Sequence, residues 1–291
     1  MSESNAPAIS KPVEYIQHHL TNWSVGVEHG EAVKIVDFNV FHVDVFLFSA
    51  LLAGLFAFFA WKVGKNLNPD APTGAQNVVE TLVEFVNQQV KDIFPNADRL
   101  VGPLALTIFV WVLLMNSMDF LPVDLLPALA GGIASLFGAD PHHVYLKVVP
   151  TTNLDTTFGL ALSVFALILY YNIKSKGAVG YFTSFFFHPF SAENVVVKII
   201  LAPINFVMTL IEEVAKPISL GLRLFGNMFA GELLFLLIAL LAFSVWAMPA
   251  QVALGSLWAL FHLLVVPLQA FIFMLLTIVY LGLASQGGEH H

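Results

Sequence analysis

The sequence predicts an all-α polytopic membrane protein with about five membrane-embedded helices, the last two forming a long tilted hairpin, plus one amphipathic surface helix. Three observations predict it. Of the 291 residues, 58% are apolar and 11% charged. The mean hydropathy of +0.80 lies far above that of soluble globular domains. Long intervals also lack Asp, Glu, Lys and Arg, and the last of them, Leu233 to Gly288, exceeds any single crossing and must fold back.

The elements follow in order. Residues 1–36 are polar and irregular, with no apolar run near the start, so they read as an exposed arm rather than a secretory signal peptide. Residues 37–285 form the membrane domain, with helices expected over 40–62, 100–118, 155–174, 193–243 and 251–284, and 286–291 form a tail. Each of the first three spans contains a charge-free core: Val45 to Trp61, Leu100 to Met118 and Thr156 to Ile173. Between the first two, a helix over 77–94 places Val79, Leu82, Val83, Val86 and Val90 opposite Glu80, Glu84 and Asn87, the pattern of a helix lying on a membrane surface.

Met248-Pro249-Ala250 is the expected bend of the terminal hairpin, because proline removes a donor and disfavours helix in the residue before it. The helix before it would be about 75 Å long, so it either breaks at Pro203 or Pro217 or tilts strongly. Lys62, Lys65, Lys91, Arg99, Lys174 and Lys176 fall in loops that basic bias assigns to the cytoplasm. Lys147 stands alone in a loop with Asp119, Asp124 and Asp140, which places that loop and the N-terminus outside and the C-terminus inside.

Composition also excludes function classes. With 12 basic and 20 acidic side chains the net charge is −8, so no basic face exists for nucleic acid. The absence of cysteine removes disulfides, thiolate metal sites, cysteine nucleophiles and iron–sulfur clusters. The paired histidines His142, His143, His290 and His291 lack metal-ligand spacing, and no metal or cofactor is expected. No GxxxxGK[ST] loop is present, so the chain carries no ATP chemistry of its own.

The charges left inside the spans are the candidate site. An arginine within a membrane helix is expensive and marks function by default, and Arg223 is that residue. On a helical wheel Glu212, Lys216, Ser219, Gly226, Asn227 and Ala230 fall within about 60° of Arg223, while Glu232 falls about 180° away. Small neighbours would let a partner helix approach Arg223 closely, and its guanidinium keeps its charge at any accessible pH. Glu232 would face its hairpin partner or a water-filled cavity. The returning helix brings His262 and Gln269, seven residues apart, onto one face: an imidazole that can pass a proton and an amide that can bond an arginine or a carboxylate. Together these side chains describe a proton relay beside a fixed positive charge. A secondary transporter built on the same buried ions, or a structural scaffold, would also carry them; no internal repeat supports the transporter.

Lys216 to Leu234 (KPISLGLRLFGNMFAGELL) and Phe261 to Leu281 (FHLLVVPLQAFIFMLLTIVYL) resemble the bacterial subunit a family of F-type ATP synthases, as does Asn116 to Pro122 (NSMDFLP). The resemblance runs from about Phe41 to Ser285. It implies a proton-conducting stator subunit of the bacterial inner membrane that works against a ring of small hairpin subunits, each bearing one essential carboxylate. A peripheral-stalk subunit and the other ATP synthase subunits would be further partners. Arg223 matches the family's essential arginine between two offset half-channels. Asn227, Glu232, His262 and Gln269 match its proton path, and Asp119 a polar position near the outer half-channel. Where some relatives carry an acid, this chain has Thr209, with Glu212 and Glu213 one turn on; Glu212, on the arginine's face, is the preferred inner candidate. Sodium coupling stays open, since the ion-binding site would lie mainly on the ring.

Overall fold

The computed structural model describes residues 16, 19–26, 40–65, 67–68, 74–122, 125–136, 138, 146–187, 190, 195–243 and 245–286. Asp124, Asp140, Glu193, the four paired histidines and most of the 1–36 arm lie outside them. The helices are α1 (Val43–Lys65), α2 (Ala75–Ile93), α3 (Val101–Ser117), α4 (Leu125–Leu136), α5 (Leu154–Phe187), α6 (Val195–Ala239) and α7 (Met248–Gln286). Five of them, α1, α3, α5, α6 and α7, are long and apolar enough to cross a bilayer. Their outward surfaces are apolar: Phe46, Leu51, Phe58 and Trp61 of α1 and Leu257 and Leu264 of α7 stand exposed, as expected when lipid is the solvent.

Three sequence expectations change. The loop after α3 contains α4, a short helix whose Pro127 occupies the first turn, where a missing N–H is tolerated. α5 does not stop near 174. It kinks at Gly177, whose φ of 71° is cheap for glycine, and continues to Phe187. The hairpin bend is not at Met248-Pro249-Ala250. Two 3-10 turns, Leu240–Phe243 and Val245–Ala247, make it, and Pro249 sits in the first turn of α7. In addition, α6 runs 45 residues through both Pro203 and Pro217, about 68 Å at 1.5 Å per residue.

The chain forms two compact units. The first comprises residues 1–55, 114–153 and 228–266. A two-residue antiparallel pair, β1 (Ser24–Val25) with β2 (Phe41–His42), precedes α1, and Val43 N–H donates to Trp23 O at 2.9 Å. Met115, Met228 and Leu236 are fully buried in this unit.

The second unit comprises residues 56–113, 154–227 and 267–291. The amphipathic helix forms as its pattern requires: Val86 and Val90 are buried and Val79, Leu82 and Val83 half-buried, while Glu80, Glu84 and Asn87 are exposed. Phe85 of α2 packs on Phe109 and Phe271, with centroids 6.2 and 5.7 Å away. Leu224, Phe273, Met274 and Ile278 are fully buried. Asn205 ties the chain after α5 to α6, its Nδ2 donating to Phe186 O and Phe190 O at 3.1 and 2.8 Å.

Candidate functional site

The first unit buries two acid–base pairs. Asp119 sits in the 3-10 turn Met118–Phe120 that ends α3, and its Oδ2 lies 2.6 Å from His262 Nε2 of α7. Three aromatic rings, Phe120, Phe235 and Trp258, surround the imidazole, with centroids 5.5 to 6.1 Å away. Gly231 makes room for it. A Cβ there would overlap His262 Cε1 and come within 3.1 and 3.3 Å of the ring nitrogens.

Glu232, one residue on, is 6% exposed, and its Oε2 lies 3.5 Å from Lys147 Nζ. Lys147 also donates from Nζ to Thr152 O at 3.3 Å and lies 5.6 Å from the Phe229 ring centre. Its position is set by Asp44, which is fully buried and accepts the backbone N–H groups of Trp23, Val45 and Lys147 at 2.8 to 3.0 Å. Three amide donors satisfy a carboxylate that burial would otherwise penalise heavily. Asp119, Lys147 and Glu232 border one cavity of about 30 Å³, enough for a water or two. Asn116, one turn before Asp119, is fully buried, and its amide is unpaired among the described residues. Carboxylates and an ammonium bordering a small cavity, with the His262 imidazole against one of those carboxylates, can receive, hold and pass a proton.

The second unit holds a larger cavity of about 250 Å³. Thr209, Glu212, Glu213 and Lys216 of α6 line it, with Asn172, Lys176 and Tyr181 of α5 and Tyr280 of α7. Lys216 Nζ lies 2.7 Å from Glu213 and 3.5 Å from Glu212. Two turns from Lys216 along α6, Arg223 is half-exposed, and among the described residues it has no carboxylate within 4.0 Å. Of the residues the wheel places with Arg223, Glu212, Ser219, Gly226, Asn227 and Ala230 are exposed and Glu232, opposite, is buried; Lys216 departs from it, its side chain 17% exposed. Gln269 is 2% exposed, but its partner is neither arginine nor carboxylate. Asn227 Nδ2 donates to its Oε1 at 2.6 Å.

The expected residues therefore fall into local groups: Asp119, His262 and Glu232 in the first unit, and Glu212, Arg223, Asn227 and Gln269 in the second. Lys147 and Asp44 were not singled out as site residues by sequence, and Glu213 was named only beside the preferred Glu212. A lone lysine among acids in an outer loop was the available signal for Lys147.

Five apolar spans that carry buried ionisable side chains, in a sequence with no phosphate-binding loop, define a multi-pass all-α membrane protein. The sequence pattern described as ATP synthase A chain matches residues 46–282. The chain is 50% identical over 281 residues to the ATP synthase subunit a of Psychrobacter cryohalolentis, covering 94% of this chain and 96% of that protein. It is likewise 50% identical to the Psychrobacter arcticus protein over 281 residues, with the same coverage. Identity to the ATP synthase subunit a of Acinetobacter baumannii is 47% over 283 residues, again 94% of this chain and 96% of the relative. The chain belongs to the ATP synthase A chain family and is a non-catalytic membrane-sector subunit.

Proposed function

We propose that this chain is the proton-conducting stator subunit of a bacterial ATP synthase, providing two half-channels to a ring of small subunits that each carry an essential carboxylate. The observation that carries the reading is Arg223: a permanent cation in a membrane span, on an exposed face of small residues, with no carboxylate of its own chain beside it among the described residues. A cation so placed calls for an anion from a partner. The passing ring carboxylates are that anion.

The first-unit cavity forms the outer half-channel, with Asp119, His262 and Glu232 as its relay, and the second-unit cavity forms the inner one, with Glu212 at its mouth. The mechanism is electrostatic rather than covalent. Arg223 favours the ionised ring carboxylate as it arrives and, being unable to give up its proton, prevents a direct leak. A proton delivered through Glu232 and His262 neutralises that carboxylate before it turns into lipid, where a bare charge would be prohibitive. Asn227 and Gln269, hydrogen-bonded to each other, hold the arginine's polar surroundings. Downhill proton flow then turns the ring and drives ATP synthesis in a peripheral head, with a peripheral-stalk subunit holding the stator still.

The membrane is the bacterial inner membrane. The 1–36 arm lies outside, 37–285 within the bilayer and the C-terminus in the cytoplasm, as the distribution of lysine and arginine supports.

The test is ATP-driven acidification of inverted membrane vesicles carrying wild type or Arg223→Ala, with immunoblots of the assembled complex. Loss of pumping with assembly intact is expected. Normal pumping by the assembled variant would refute the reading and leave a scaffold role.

A further inference from the structure

We propose that the second-unit cavity holds one standing ion pair and one exchangeable acid: Glu213 is the permanent counter-ion of Lys216, and Glu212 is the carboxylate that passes the proton to and from water. This rests on the proton-path reading above and assigns the residues of its inner side.

The three side chains share α6 at spacings of three and four residues, so the lysine can reach both acids. It does not treat them alike. Glu213 Oε1 lies 2.7 Å from Lys216 Nζ, with the Glu213 side chain 12% exposed, whereas Glu212 Oε1 lies 3.5 Å away, with its side chain 69% exposed. Protonating Glu213 would leave an ammonium only 17% exposed without its close partner, the arrangement that a poorly solvated site penalises most. Protonating Glu212 leaves the short pair intact. Its carboxylate, held less closely by the ammonium, also lines the cavity.

Charge balance leaves room for one exchangeable acid, and the unequal distances decide which it is. Two carboxylates against one ammonium leave a single negative charge, so the triad takes up one proton and becomes neutral. Without Glu213 the next proton would make the triad cationic. The other titratable groups facing the cavity are Lys176 and Tyr181 of α5 and Tyr280 of α7. Lys176 lies within 4.0 Å of no carboxylate among the described residues, so neither acid is tied up by it. Glu213 is thus a positioning and charge-balancing residue, and Lys216 the cation it must mask.

The experiment uses the whole complex in inverted vesicles. Glu212→Gln and Glu213→Gln are each made alone and combined with Lys216→Met, and the exchanged pair Glu213→Lys with Lys216→Glu is added. Initial rates of ATP-driven acidification are normalised to assembled complex by immunoblot. Glu213→Gln should slow pumping roughly tenfold, the effect of one unmasked charge near the path at an effective dielectric of about 20. Adding Lys216→Met should restore the rate to within about twofold, because the unmasked charge is then gone. Glu212→Gln should abolish pumping with or without Lys216→Met, and the exchanged pair should pump.

Failure of Lys216→Met to rescue an assembled Glu213→Gln complex overturns the proposal, as does full pumping by Glu212→Gln. If Glu213→Gln does not assemble, the exchanged pair decides: an assembled exchanged complex that cannot pump overturns it. Arg223→Ala, run alongside, separates this failure from failure of the underlying reading, which falls only if that variant pumps normally.

Discussion

Replacing Gly231 by alanine tests how closely the imidazole of His262 is held. The added methyl would overlap Cε1 of the ring and sit 3.1 and 3.3 Å from its nitrogens, so the ring must retreat by about 1 Å to reach ordinary contact. It has little freedom to do so. Phe120, Phe235 and Trp258 surround it, and the residue is 1% exposed. Overpacking of this kind costs about 1–3 kcal/mol in stability. The functional effect should be larger, because the His262 to Asp119 contact of 2.6 Å has no slack and a displacement of about 1 Å at a reacting group can lower a rate on the order of 100-fold. Gly231→Ala should therefore slow ATP-driven acidification of inverted vesicles by about 10- to 100-fold while the complex still assembles. Gly255→Ala on α7 is the control, since among the described residues its Cβ would meet Ile238 Cγ2 at 3.7 Å, an ordinary contact. Wild-type pumping by assembled Gly231→Ala would refute the claim that ring position matters, and equal losses in both variants would refute its locality.

Other outcomes follow from the same geometry. Gly226→Ala adds a methyl that meets no packing neighbour within 4 Å among the described residues, so thermal stability of the purified chain should not change, whereas pumping should fall if a ring helix packs there. Asn227→Leu removes the donor to buried Gln269 and should destabilise the chain by about 1–3 kcal/mol, measured by denaturant titration in detergent, with Gln269→Leu in the same background recovering part of the loss. Asp98, outside the spans, is held below the usual aspartate range by the Lys174 ammonium 2.9 Å away. A depressed carboxylate stabilises above its unfolded value and loses that contribution as pH falls through the folded one. This pair is exposed and screened, so Asp98→Asn should leave the neutral-pH melting temperature unchanged within error, and any difference from wild type should disappear in acid.

The sequence by itself determined what depends on near neighbours. Span number follows from charge-free length, the buried face of α2 from the spacing of Val79 to Val90, and the opposition of Arg223 and Glu232 from the helical period along α6. The family was legible too, because the Lys216 to Leu234 segment is contiguous in the chain. Local exceptions had local causes: one glycine at φ 71° carried α5 past its expected end, and Pro249 opened α7 instead of breaking a helix. Tertiary structure alone decided which faces meet. Asp44 reaches the backbone of Lys147 across 103 residues, Lys147 then reaches Glu232, and Asp119 reaches His262. It also chose Glu213 over Glu212 as the close partner of Lys216, two adjacent acids that the lysine can reach equally well by spacing. The physical reason is one of range. Helical period fixes the direction of a side chain on its own helix, but the partner it meets, and how much water remains beside it, are fixed only when separate helices pack.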